Sequence, residues 1–415
     1  MAMVKKPVTG MKDILPAEMQ IRDYVIDLIK ETYKSFGFTP IETPCVEHIE
    51  NLCSKQGGDN EKLIFKILKR GEKLNLETAR SEQDLVDGGL RYDLTVPLSR
   101  YYSNNANQLP APFKALQIGP VWRAERPQKG RFRQFYQCDI DILGDPTCLA
   151  EIELITATTT LLGKLFCNFK VRINDRGVLK AMASYSGFSE ESYDKVFIIL
   201  DKMDKIGLDG VKQELLDNGF APESIETYLD LFAKLETQAD PVGWLKNELG
   251  DILPAETADS LKTIMTSVKQ TQATSYDIVF DPTLVRGMSY YTGTIFEIEM
   301  PDFGSSVAGG GRYDRMIGKF TGRETCACGF SIGFERIVTL LMEHGFQVPG
   351  QSEKVAYLIE KNMPSERLCE IMQEAAGERN QGKCILVVTM NKNKKFQKEQ
   401  LAKEGYETFR EFFRK

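Results

Sequence analysis

The first long stretch of patterned sequence is residues 21–36, where Val25, Ile26, Leu28, Ile29, Tyr33 and Phe36 recur at helical spacing between charges and Gly37 follows. That spacing predicts an amphipathic helix with a glycine stop. Residues 38–44 carry Pro40 and Pro44. Each proline holds its predecessor out of the helical region and removes a backbone donor, so the segment is expected to be extended and to lie at an edge or an interface. From 63 to 144 the apolar runs are short and rich in β-branched or aromatic residues, at 63–68, 115–118 and 135–143, which predicts several antiparallel strands. Residues 149–166 return to a helical period, and 169–173 alternate as a strand.

Between about 184 and 274 the texture changes to charged amphipathic helices, with Tyr193, Val196, Phe197, Leu200 and Met203 on one face and no glycine-rich loop. Strand character resumes at 278–280 and again at 294–300, where apolar and acidic residues alternate. After a linker at 345–350, the runs 355–359, 365–376 and 384–389 read as strand, helix, strand. The expected division is therefore a sheet-bearing domain in two parts, 1–183 and 275–344, interrupted by a helical insertion at 184–274 and followed by a small α/β domain at 353–415.

Composition narrows the function classes. A chain of 415 residues with 42% hydrophobic content can bury a large core. Its 53 basic and 59 acidic residues give a net charge of -6, so a nucleic-acid contact has to come from a local basic patch. The nine cysteines are scattered, and Cys326 and Cys328 have neither zinc-ligand nor redox-pair spacing. With only His48 and His344 as histidines, a metal site or catalytic triad has little material, and no protein-held metal is expected. The N-terminus lacks a signal-peptide run and no segment has the roughly eighteen apolar residues of a membrane span, which leads to the expectation of a soluble, cytoplasmic protein.

Five segments carry candidate chemistry. Residues 121–137 hold Arg123, Arg126, Lys129, Arg131 and Arg133 in a hairpin-like stretch broken by Pro127 and Gly130, with Phe132 and Phe135 between them. Planar guanidinium groups pair with phosphate oxygens and the rings offer a surface for a purine, while a solvated basic hairpin is the plainer reading. Residues 284–297 set Arg286 beside Tyr290 and Tyr291 at the mouth of a strand, suited to an imidazole or amide, or simply a packed turn. Gly309, Gly310 and Gly311 ahead of Tyr313 allow close backbone approach to a ligand or a tight turn. Residues 328–336 end on Arg336 after Gly329 and Gly333, which leaves space beside a sheet or makes a helix-packing site. In residues 91–97, Asp93 and Thr95 would share one face of a strand and suit an α-ammonium group, or be an exposed pair.

Taken in sequence order, residues 10–16, 38–44, 91–97, 123–137, 286–297 and 329–336 resemble the class II histidyl-tRNA synthetase family, over residues 8 to about 340 and only partly beyond 353. The resemblance implies an α+β fold: an antiparallel sheet flanked by helices, a helical insertion and a shortened anticodon-binding-like α/β domain. It implies a homodimer joined near residues 38–44, and a ligase that activates L-histidine with ATP and Mg2+ and transfers it to tRNA(His). By position it makes Arg123 and Arg286 the catalytic arginines at the α-phosphate and counts both among the histidine contacts, Arg123 at the histidine carboxylate. Glu125, Arg131, Phe135 and Arg336 match the remaining ATP contacts. Asp93, Thr95 and Gln137, together with Asp141, Tyr290, Tyr291 and Tyr313 on the imidazole side, look like the histidine pocket, and Arg126 and Gln128 resemble the contacts to the tRNA acceptor end.

Three departures accompany the match. Ser289 stands where the family commonly has aspartate, Asp141 where many bacterial members carry glutamate, and the C-terminal domain ends early, with closing strands expected to be missing. The rival reading is a paralogue that binds histidine and regulates an ATP phosphoribosyltransferase. Against it stands the set Arg123, Arg131, Arg286 and Arg336, which a histidine sensor has no electrostatic need for. A basic RNA-binding module would explain the arginine loop but not the tyrosine and aspartate pocket.

Overall fold

The computed structural model describes residues 3–53, 60–128, 130–286, 291–301, 304–350 and 352–414. In chain order its elements are α1 (Pro16–Ser35), β1 (Thr39–Ile41), β2 (Val46–His48), α2 (Ile49–Cys53), β3 (Lys66–Leu68), β4 (Val86–Leu90), α3 (Thr95–Asn105), β5 (Phe113–Trp122), β6 (Gln134–Leu143), α4 (Leu149–Gly163), β7 (Lys170–Asp175) and α5 (Arg176–Tyr185). Then follow α6 (Tyr193–Leu200), α7 (Met203–Asp217), α8 (Pro222–Leu235), α9 (Pro241–Leu249), α10 (Ala255–Gln270), β8 (Asp277–Phe280), β9 (Thr294–Met300), β10 (Ser305–Arg312), α11 (Asp314–Thr321), β11 (Ala327–Ile332) and α12 (Phe334–Glu343). The last are β12 (Lys354–Ile359), α13 (Ser365–Asn380), β13 (Cys384–Thr389), α14 (Lys394–Lys403) and β14 (Thr408–Phe412).

Two compact units result, one of Met1–Asp13 with Val25–Glu343, the other of Ile14–Tyr24 with His344–Lys415. The first is built on an eight-stranded sheet in the order β1-β5-β6-β11-β10-β9-β7-β8. Its interior pairings are antiparallel, and only the edge strands β1 and β8 run parallel to their neighbours. The proline-bearing segment 38–44 thus lies at an edge, where the missing donor breaks no ladder. In α1 the predicted stripe buries Val25, Ile29 and Tyr33, and Gly37 ends it with φ +81°, a conformation that side-chain-bearing residues adopt only with strain. Helix α4 packs on β6 and β11 and is buried around most of its circumference, in keeping with a sequence too apolar to have a solvent face.

Residues 193–270 form the predicted run of helices, packed through Val196, Phe197, Val211, Leu215, Ile225, Tyr228 and Phe232. Two expectations need correction. Residues 91–97 are not a strand: β4 stops at Leu90 and α3 starts at Thr95. Asp93 Oδ1 accepts from the Val96 N–H at 3.0 Å and so anchors the helix start, and Pro97 falls in the first turn, where a missing N–H is harmless. In the second unit, the order β13-β12-β14, all parallel, adds a strand at Thr408–Phe412 where closing strands were expected to be missing. Phe412 from β14 packs on the small core of Val355, Tyr357, Ile371 and Ile385.

Candidate active site

Beside the central strands lies a cavity of about 430 Å³. Its walls bring together residues far apart in the chain: Asp93 and Thr95 at the start of α3, Arg123, Glu125, Arg131, Phe132 and Phe135 from the loop and strand after β5, Gln137, Asp139 and Asp141 along β6, then Arg286, Tyr291, Glu297, Tyr313 and Arg336. Every residue predicted for histidine or ATP is there except Tyr290, which, like Ser289, lies outside the described residues. Arg126 and Gln128 do not line it; they are exposed at the far end of the β5–β6 loop, where Gln128 and Arg131 close a tight turn.

Glycine makes the room. On β10 and β11, Gly309, Gly310 and Gly329 form part of the floor, and a Cβ on Gly329 would overlap the carboxylate of Asp141, its cross-strand partner on β6. A Cβ on Gly309 would fall 2.6 Å from Cζ of Arg286. The glycine run is therefore a close-approach surface and not a turn. Gly309→Ala should push the guanidinium off its position. Misplacing a reacting group by about 1 Å can cost roughly a hundredfold, and a flexible arginine recovers part of that, so a loss of about tenfold in turnover with little change in thermal midpoint is expected. An unchanged turnover would mean that Arg286 does not need this seat.

The cations are individually anchored. Arg123 donates through Nε to the Tyr92 carbonyl at 3.1 Å and lies over the rings of Tyr92 (4.4 Å) and Phe135 (5.2 Å). Arg286 Nη1 donates to Glu297 Oε2 at 2.7 Å, and Arg336 Nη1 donates to the Ser306 carbonyl. Burial depresses the Arg336 pKa, and the charges of Arg131 and Arg286 push it the same way, with Glu297 opposing. Guanidinium groups gathered in this way can pair with the oxygens of a polyanion.

The opposite end is acidic. Among the described residues Asp93 Oδ2 and Gln137 Oε1 are buried acceptors without a hydrogen-bond partner, and a buried unpaired acceptor costs about 1–3 kcal/mol unless a ligand supplies the donor. Tyr313 donates its hydroxyl to Asp141 Oδ1 at 2.5 Å. Burial pushes the Asp141 carboxyl up to about 7, against the Tyr313 hydrogen bond and with help from the charge of Asp93. The sign for stability follows. Between about pH 4, where an unfolded aspartate titrates, and about 7, the folded chain holds a proton the unfolded one has lost, so this group's contribution declines as pH rises through that window. Asp141→Asn should remove a loss on the order of 1–3 kcal/mol between pH 5 and 8 in urea-unfolding titrations. Parallel curves for variant and parent would contradict the raised value.

Asp139, Ser331, Glu297, Glu335 and Tyr136 also line the cavity and carry no role in the sequence reading. Of these, Asp139 and Glu297 carry a signal in the sequence, the period-two alternation of polar residues 137, 139 and 141 and of acidic residues 297 and 299 on their strands.

A mainly antiparallel sheet whose cavity gathers arginines at one end and carboxylates at the other fits the architecture of a class II aminoacyl-tRNA synthetase. Comparison with known proteins narrows this. The histidyl-tRNA synthetase family model matches residues 10–337. The histidine–tRNA ligase of Leifsonia xyli subsp. xyli is 42% identical over 424 residues, spanning 97% of this chain and 94% of that protein. The probable histidine–tRNA ligase of Tropheryma whipplei (strain Twist) is 45% identical over 348 residues, 81% of this chain and 80% of its own. The crystal structure of histidyl-tRNA synthetase from Nostoc sp. PCC 7120 superposes with a TM-score of 0.78 at 27% identity, covering 97% of this chain and 90% of that one. A structure described as an ATP phosphoribosyltransferase regulatory subunit/histidyl-tRNA synthetase from Bacillus halodurans C gives 0.79 at 21% identity over 99% of both chains, which speaks for the fold alone. The chain belongs to the histidyl-tRNA synthetase family, and it is an ATP-using enzyme of protein synthesis.

Proposed function

We propose that the cavity joins L-histidine to adenylate and then passes the histidyl group to tRNA(His). The observation that carries this reading is the pair of unpartnered buried acceptors, Asp93 Oδ2 and Gln137 Oε1, in the same cavity as Arg123, Arg131, Arg286 and Arg336. An amino acid seated with its ammonium on that pair, and Thr95 beside them, turns its carboxylate toward the arginines. Asp141, Tyr313 and Tyr291 wall the imidazole, and Tyr290, outside the described residues, is assigned to the same pocket by the family resemblance alone. Glu125, Arg131, Phe135 and Arg336 hold the nucleotide, with Phe135 under the adenine and Arg131 and Arg336 along the phosphates.

A carboxylate oxygen of histidine attacks the α-phosphorus, the bond to the pyrophosphate oxygen breaks, and histidyl-adenylate forms. Arg123 and Arg286 stabilise the charge that builds on the α-phosphate oxygens; being fixed in advance, they favour the transition state over the ground state. A ribose hydroxyl at the end of the tRNA then attacks the acyl carbon and AMP leaves, with Arg126 and Gln128 on the exposed loop meeting the acceptor end. Mg2+ travels with the ATP phosphates. Bound there, it would neutralise phosphate charge, and no step is assigned to it.

Residues 353–415 are read as an anticodon-binding-like domain, residues 184–274 as an insertion in the catalytic domain, and residues 38–44 as part of a homodimer contact. No helix among the described residues is long and apolar enough to cross a membrane, which agrees with a cytoplasmic setting.

Histidine-dependent exchange of pyrophosphate into ATP tests the first half-reaction, and charging of tRNA(His) tests the second. Exchange that requires histidine is expected. Histidine binding without exchange would favour the regulatory-subunit reading, which the four arginines otherwise disfavour.

A further inference from the structure

Asp139 has no part in the reaction as set out above, yet it is buried in the middle of the ligand cavity. Gln137, Asp139 and Asp141 project from the same face of β6, and Asp139 lies directly across from Ser331 on β11. The Gln137 amide donates through Nε2 to Ser331 Oγ at 3.2 Å and to Asp139 Oδ2 at 3.4 Å. The Ser331 hydroxyl in turn donates to Asp139 Oδ1. The three groups close a ring in which the Gln137 amide and the Ser331 hydroxyl each donate to one oxygen of the Asp139 carboxyl.

That ring decides which end of the amide the ligand meets. With Nε2 held by Asp139 and Ser331, Gln137 has only its carbonyl oxygen left for the cavity, and this atom is buried without a partner among the described residues. A glutamine free to turn over would offer its NH2 instead, a donor facing a donor when an ammonium arrives. Burial, and after it the charges of Asp141 and Asp93, raise the proton affinity of Asp139, while the Ser331 hydrogen bond and Arg123 oppose the shift.

We propose that Asp139 is a positioning residue which, together with Ser331, locks the Gln137 carbonyl toward the α-ammonium of the substrate and so sets the demand for a protonated primary amine. This rests on the reading of the acidic end as the histidine site.

The test compares Asp139→Asn and Ser331→Ala with the parent in pyrophosphate exchange. Two competitive inhibitors are added: histidinol, which keeps the ammonium, and imidazolepropanoate, which lacks it. In Asp139→Asn one acceptor becomes a donor and the ring cannot close. The KM for histidine should rise about tenfold, the worth of a charge-assisted hydrogen bond, while the KM for ATP and the thermal midpoint stay near those of the parent. The preference for histidinol over imidazolepropanoate should shrink by a similar factor, a change that general loosening of the fold does not produce. Ser331→Ala should shift the same ratio in the same direction, and it carries the test if Asp139→Asn fails to fold. An unchanged inhibitor ratio in a folded variant, with the parent binding histidine normally, overturns the positioning role alone. A parent protein that neither binds histidine nor exchanges pyrophosphate overturns the histidine reading and this proposal with it.

Discussion

Arg286→Ala should lower histidine-dependent pyrophosphate exchange by about 10²- to 10³-fold, equivalent to about 2.7–4 kcal/mol of transition-state stabilisation, without unfolding the chain. Arg286 is held by Glu297 Oε2 at 2.7 Å and seated against Gly309, so its charge is in place before the phosphorus is attacked. Arg123 cannot move across to replace it, because its Nε is tied to the Tyr92 carbonyl and its plane lies over two rings. An interaction made mainly in the transition state appears in kcat more than in KM, so the ATP KM should move by a much smaller factor than kcat. Arg286→Lys keeps the charge but loses the fork, and an intermediate rate is expected. A loss of less than about tenfold in Arg286→Ala, with the fold intact by thermal melting, would remove Arg286 from the phosphate chemistry.

The same contact answers a question the sequence raises. Ser289 cannot orient Arg286 electrostatically, but Glu297 does so from β9, eleven residues further on. In the sequence Glu297 is one of two acidic residues on an alternating strand, and nothing local separates it from Glu299. The difference is made by β10, which lies alongside β9 and brings Gly309 opposite Glu297. Motif residues on one segment were legible because their chemistry is local: the arginine loop after β5, the glycines of β10 and the β6 face. Asp139 and Ser331 were not, since their meaning depends on the register of β6 against β11. Residues 91–97 misled for a related reason. Alternating side chains suggest a strand, but a single Asp93 hydrogen bond to the Val96 N–H decides for a helix start. The helices of residues 193–270 were easier, because a 3.6-residue period survives without knowledge of the partner.

Arg312→Met is expected to destabilise the catalytic unit by about 3–5 kcal/mol in urea unfolding, because it strands a buried carboxylate. Arg312, at the end of β10, meets Glu151 of α4 side-on, with Nε and Nη2 each 2.7 Å from a carboxylate oxygen, and the Glu151 side chain is only 2% exposed. Its remaining donors reach the carbonyls of Asp145 at 3.0 Å and Thr147 at 2.8 Å, so the guanidinium ties β10, α4 and the turn between β6 and α4 together. A buried ion pair is not in itself evidence of net stabilisation, since an apolar pair of similar volume often does as well. The pair should therefore behave asymmetrically: Glu151→Met combined with Arg312→Met is expected to recover much of what the single change loses. A double variant as unstable as the sum of the singles would mean that the carbonyl contacts, and not the stranded charge, dominate. Arg312 also immediately precedes Tyr313, whose hydroxyl holds Asp141, so loosening this corner should raise the KM for histidine while the arginines at the phosphate end, anchored elsewhere, keep the KM for ATP near its original value.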